Sequence, residues 1–143
     1  MTDNVGAESV REAVLRYARE ELGTQAEYLF ASSPDCAVLR CRDNRKWYGI
    51  IMRISRGKLL QGGTGDTDIL NVKCDPLLRA SLLQKAGFFP AYHMNKTHWI
   101  TMLLDGSVPM EDLTGCLAMS YDRVSSRSAG RTKGCYDAGG DER

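Results

Sequence analysis

The stretch AVLRCRDNRKWYGIIMRIS, residues 37–55, decides the fold. Ala37 to Arg42 has the composition of a strand, Asp43-Asn44 that of a turn, and Trp47 to Ile54 that of the partner strand. A connection this short joins antiparallel neighbours. Strict alternation would put Tyr48, Ile50, Met52 and Ile54 on one face. Working outward, Ser55-Arg56-Gly57 reads as a second turn, and Lys58 to Gln61 is expected to begin a third strand. Gly62 to Asp66 must be a loop. Thr67 to Lys73 is a further strand, with Leu70 and Val72 inward and Asn71 and Lys73 outward. Trp99 to Leu104 is the last strand, ended by the Asp105-Gly106 turn.

Helical signals flank this block. Ser9 and Glu12 have capping-box spacing. Val10, Ala13, Val14, Tyr17, Ala18 and Leu22 follow at helical period, and Gly23 stands where a C-terminal glycine belongs. Asp75-Pro76 starts a second, short helix that runs to about Ala86 and stops at Gly87. Pro109, Glu111 and Asp112 open a third, whose buried stripe is Leu113, Cys116, Leu117 and Tyr121. Hairpins in the middle with helices at both ends predict an α+β fold. It is a two-layer sandwich: a twisted, largely antiparallel sheet with helices on one face. Residues 1–124 are expected to form the single domain, and residues 125–143 a flexible polar and basic tail.

At 143 residues the chain is long enough for a core without covalent staples. Its net charge of +1 announces no nucleic-acid binder, but the charge is unevenly placed. Between Cys36 and Leu60 lie Arg40, Arg42, Arg45, Lys46, Arg53, Arg56 and Lys58 against Asp43 alone. Five scattered cysteines without a C-x-x-C pair suit a reducing cytoplasm. The first residues lack the basic start and apolar run of a secretory signal, and no apolar run is long enough to span a membrane. The expected location is cytoplasmic.

The segment Pro90-Ala91-Tyr92-His93-Met94-Asn95-Lys96-Thr97-His98-Trp99 is dense in polar and aromatic groups. Lys46-Trp47-Tyr48 and Asn71-Val72-Lys73-Cys74-Asp75-Pro76 precede it. Leu104-Asp105-Gly106-Ser107-Val108-Pro109 and Ser120-Tyr121-Asp122 follow it. In this order and spacing, over roughly Leu29 to Val124, these motifs resemble the MmcQ/YjbR family. The resemblance implies a fold similar to CyaY and frataxin, and a DNA-binding role through hairpin wings. It implies no reaction. Fold likeness alone is a poor guide to function.

The residues themselves offer several chemistries. Two basic hairpin tips, Arg40, Arg42, Arg45 and Lys46 around one turn and Arg56 and Lys58 around the other, would straddle double-stranded DNA as wings, with Arg42, Arg45, Lys46 and Lys58 on phosphate. Lys73 and Lys96 would add phosphate contacts, and His93, Asn95 and His98 hydrogen bonds. Tyr92 and Trp99, if exposed, would stack on bases. The bland reading makes the cations a solvated edge that blocks aggregation, and the loop a self-locked connection. The alternative is a small-ligand or protein-partner module, with Asn71, Tyr92, His93, Lys96 and Lys46 around a pocket. A metal site from His93, His98, Cys74 and Asp75 lacks zinc spacing. A Cys74 nucleophile paired with His93 is weaker than the reading of Cys74 as a buried strand end. Gly62 to Asp66 lacks the lysine of a P-loop and the third glycine of a dinucleotide fingerprint. No cofactor is implied. Arg127, Arg131 and Lys133 in the tail would form a basic arm.

Overall fold

The computed structural model describes residues 8–125. Of the expected tail, residues 126–143, with Arg127, Arg131 and Lys133, lie outside the described residues, while Ser125 is buried at the end of the last helix. Five strands form one antiparallel sheet: β1 (Ala37–Arg40), β2 (Trp47–Ser55), β3 (Asp66–Lys73), β4 (Phe88–Pro90) and β5 (Trp99–Leu103), in the order β1-β2-β3-β5-β4. Three helices accompany it: α1 (Val10–Glu21), α2 (Pro76–Leu83) and α3 (Met110–Val124). The fold is α+β, as the order of hairpins and helices predicts.

Each helix begins where its cap dictates. Ser9 and Glu12 complete both halves of the capping box on α1. The Asp75 carboxylate accepts from the Leu77 amide ahead of Pro76 on α2. Glu111 and Asp112 lie in the first turn of α3, where the positive end of the helix dipole favours them. Val14 and Ala18 of α1 and Leu113 and Leu117 of α3 pack on Leu39, Ile51, Leu70, Val72, Ile100 and Met102 from one face of the sheet. That layer is the main core.

One correction comes from β2. Leu39 pairs with Gly49 but Arg40 pairs with Trp47, so Tyr48 is an extra residue in the ladder. Such a bulge breaks strict alternation. Tyr48 therefore leaves the face of Ile50 and joins the helix-side core, fully buried. Its hydroxyl donates to Thr24 Oγ1 at 2.6 Å, and its ring meets Tyr121 edge-on at 4.9 Å. A side chain on Gly49 beside it would crowd its neighbours. A Cβ there would lie 3.0 Å from Leu39 Cδ1 and 3.1 Å from Leu117 Cδ1.

Next to the bulge, β2 and β3 part, and α3 fills the gap. Gly49↔Val72 is the last pair of their ladder on this side. The following amide, Lys73 N–H, donates to Ser120 Oγ at 2.9 Å. The Ser120 hydroxyl donates to the Tyr48 carbonyl at 2.6 Å. A helix side chain thus completes the hydrogen bonding of two strands, and it is fully buried.

Two further differences are local. Lys58 to Gln61 forms no strand. A single 3-10 turn, Arg56–Lys58, closes through Leu59 N–H to the Arg56 carbonyl (3.1 Å), and Gly63 N–H donates to the Leu60 carbonyl (2.8 Å). The strand β4, three residues long, was too short to announce itself by alternation. Gly87 opens it at φ +87°, and a Cβ there would sit 2.4 Å from Val108 Cγ2.

Two stability predictions follow from these contacts. Ser120→Ala leaves a buried amide and a buried carbonyl unpaired, so urea unfolding should show a loss of about 2–4 kcal/mol. Gly87→Ala combines left-handed backbone with a steric clash, and the same measurement should show a loss of about 2 kcal/mol or more.

Candidate functional site

The helices leave the other face of the sheet uncovered, and that face is apolar. Cys36, Val38 and Ile50 form one cluster with Trp47, Met52 and Met94. Ile54, Ile69 and Leu103 form another with Leu59, Leu60, Phe89 and Tyr92. The connection between β4 and β5, residues 91–98, supplies Tyr92 and Met94 to these clusters and so straps the face. The polar motif residues hold the strap.

Asn71 and Thr101 are paired across β3 and β5, and both are fully buried. The Thr101 hydroxyl donates to Asn71 Oδ1. Thr101 Oγ1 accepts from the Tyr92 amide at 2.9 Å, and Asn71 Nδ2 donates to the Tyr92 carbonyl at 3.2 Å. Both backbone groups of Tyr92 are thereby satisfied by the sheet. Further along, Asn95 Oδ1 accepts from the amides of Thr97 (2.9 Å) and His98 (3.1 Å). Lys96 Nζ donates to the Ala91 carbonyl at 2.8 Å. The His98 carbonyl accepts from the Cys74 amide at 2.8 Å. His93 sits at φ +61° with its ring against Tyr92, 4.1 Å between centroids.

The sequence placed Lys73 outward. It is only 6% exposed, with its ammonium 5.6 Å from the centre of the Trp99 ring. The strapped face is an interior, not a surface. Trp99 is fully buried too, so it offers no face to a base. Tyr92 is half-buried, while His93, Asn95 and Lys96 are exposed.

The basic hairpins divide. Arg45 Nη2 lies 2.6 Å and Arg40 Nε 3.4 Å from the Glu27 carboxylate. Arg53 and Arg11 flank Asp68, each at 3.2 Å. Arg56 lies 2.9 Å from Asp105. Burial raises the Asp105 carboxyl, but hydrogen bonds from Ser107 and Arg56 outweigh it and hold the group below its ordinary range. Arg42, Lys46 and Lys58 are exposed and pair with no acid among the described residues.

Antiparallel topology then separates the two turns. Residues 41–46 precede β2 and residues 56–65 follow it, so they occupy opposite ends of the sheet. Nine residues of strand put Lys46 and Lys58 roughly 25–30 Å apart. The strap instead shares the end of the 41–46 turn, because Lys73↔Trp99 and Arg40↔Trp47 both close that end. Asn44 ties the same turn to α3 by donating to the Val124 carbonyl at 2.7 Å. The structure therefore gathers Arg42, Arg45, Lys46, Asn95, Lys96 and His98 at one end, and leaves Lys58 at the other.

Two chemistries find less here. Burial pushes the Cys74 thiol up, as it does Cys116, and Cys41 to about 12. An activated nucleophile needs the reverse. Among the described residues, no three His, Cys, Asp or Glu side chains gather as a metal would require. No described helix is long and apolar enough to cross a membrane. An open groove of about 410 Å³ runs between α2 and α3, lined by Lys73, Cys74, Asp75, Leu78, Ala118, Met119, Asp122 and Arg123.

Two residues escaped the sequence reading. Thr101, the partner of Asn71, was signalled only by a polar residue between Trp99 and Leu103 on one face of β5. Phe30 stands edge-on to Trp47 at 6.2 Å and is 40% exposed. Its signal was the apolar run Tyr28-Leu29-Phe30 outside any strand. If Asn71 holds the strap, Asn71→Ala should speed hydrogen exchange of the 92–98 amides at least tenfold, with little change in the amides of α1.

Comparison with known proteins agrees with this layout. The family model YjbR matches residues 22–123. "Uncharacterized protein YyaQ" of Bacillus subtilis (strain 168) is 36% identical over 111 residues, covering 78% of this chain and 94% of the relative. A crystal structure of a Pseudomonas syringae protein superposes with a TM-score of 0.77 at 36% identity, over 80% of this chain and 98% of that one. Deinococcus radiodurans protein DR2400 shares the fold at a TM-score of 0.54 and 23% identity, over 85% of this chain and 83% of its own. The matched residues take in the whole sheet, the strap and nearly all of α3, and the chain belongs to the YjbR family.

Proposed function

We propose that the chain is a nucleic-acid-binding module whose contact surface is the end of the sheet formed by the 41–46 turn and the strap. One observation carries this reading. Exposed cations with no acid partner among the described residues, Arg42 and Lys46, lie at the same end as the exposed Lys96 and Asn95. Phosphate requires positive charge and donors together. Lys96 keeps its charge and two N–H groups beyond the one given to Ala91. Double-stranded DNA is the proposed partner, gripped from one end of the sheet. Lys58 and Lys73 are left out of the contact, one by distance and one by burial. A cytoplasmic location is proposed on the free, buried Cys36, Cys41, Cys74 and Cys116. A CyaY-like layout is proposed on the one-sided packing of α1 and α3.

A second reading has its own observation. Leu77 is 88% exposed at the start of α2, and Leu78 and Met119 beside it line the groove. Such a patch favours a protein partner or a small ligand.

The test is fluorescence anisotropy of a labelled duplex at low and moderate salt. Affinity should fall as salt rises, and Lys46→Ala with Lys96→Ala should weaken it and flatten the salt slope by about one per lysine. Lys58→Ala should leave it unchanged. Absence of binding at tens of micromolar protein and low salt would sink the reading and turn attention to the groove.

A further inference from the structure

Beside the basic turn lies an aromatic surface that phosphate contacts leave unused. Trp47 follows Lys46 directly in the chain and is only half-buried. Phe30 packs edge-on against it at 6.2 Å, and Tyr28 is 56% exposed. Arg45 fastens the turn to this segment through Glu27, at 2.6 Å. That contact, with Arg40, neutralises Glu27, the acid directly before Tyr28 in the chain. A folded chain ordinarily buries large rings or covers them. Here exposed rings stand next to exposed positive charge that meets no acid among the described residues.

We infer that Phe30 and Trp47 form a stacking platform for unpaired bases, so that the module takes single-stranded nucleic acid in preference to duplex. This rests on the nucleic-acid reading above and departs from it in one respect, setting the single strand ahead of the duplex as partner. The physical reason is that a duplex keeps its base faces stacked inside, while a single strand presents them. Base on aromatic ring is a contact only the single strand can make. The cations Arg42 and Lys46 would follow the backbone while the rings take the bases. The spacing of the two turns points the same way. With its tips at opposite ends of the sheet, the molecule has no pair of basic wings formed by consecutive hairpins to straddle a duplex.

The experiment compares a labelled oligothymidine of about 15 nucleotides with a duplex of the same length, using the full chain. Three proteins are measured: the parent, Phe30→Ala and Phe30→Leu. Phe30→Leu keeps an apolar contact on Trp47 but removes the aromatic face. The single strand should bind the parent several-fold more tightly than the duplex. Both variants should lose about 5- to 150-fold for the single strand and little for the duplex. The chain has two tryptophans and Trp99 is fully buried, so quenching of tryptophan emission by the oligothymidine should report Trp47. Equal affinity for both forms, no quenching, and no effect of either variant would overturn the platform while leaving phosphate binding standing. Failure of both probes to bind the parent would overturn the nucleic-acid reading and the platform with it.

Discussion

The Asn71 side chain, buried between β3 and β5, holds the strap to the sheet together with Thr101. Every strand has two faces, and the helices of this chain cover one of them. The other carries Val38, Ile50, Ile69 and Leu103, which water would penalise. A loop can cover such a face only if its own backbone polar groups are satisfied there. Asn71 and Thr101 do this for Tyr92, and the rest of the strap closes on itself through Asn95 and Lys96. The polar residues that look like a binding motif in the sequence are the fastening of a lid over a second small core. Lys73 and Trp99 are interior as well.

Much of the fold was legible. The capping box of α1, the Asp75-Pro76 start of α2 and the alternation in β3 are local signals, and local signals survive folding. Tyr48 was misplaced because a bulge depends on the partner strand, which alternation within one strand cannot reveal. The site was less legible for a related reason. Charge counted along the chain sees Arg40, Arg45, Arg53 and Arg56 but not Glu27, Asp68 and Asp105, which folding brings to them. Exposed pairs of this kind contribute little stability. They do decide which cations remain available, and Arg42 and Lys46 are two of those.

Burial sorts the motif residues by task. Asn71, Thr101 and Ser120 are buried and hydrogen-bonded, and each completes backbone groups that water cannot reach. His93, Asn95 and Lys96 present atoms to solvent from a loop that the sheet keeps in place. A rigid scaffold beneath an exposed polar loop is the usual arrangement for recognition. The same arrangement explains why a single residue type, lysine, has two roles here: Lys73 within the scaffold and Lys46 on its surface.

The parity of an antiparallel sheet has a wider consequence. Connections at one end, residues 41–46 and 91–98, are fastened by Asn44, Asn71 and Asn95 to the body of the domain. At the opposite end only the tips stand clear: no atom lies within 4 Å of where a Cβ would stand on Gly62, Gly65 or Gly106, while Leu104 and Val108 beside them are buried in the main core. The molecule thus has a fastened end and, at these tips, an open one. Residues inserted between the tip glycines would meet no neighbour, whereas a side chain on the glycines themselves would strain their left-handed backbone. The open end is where the chain can be lengthened at least cost to the sheet.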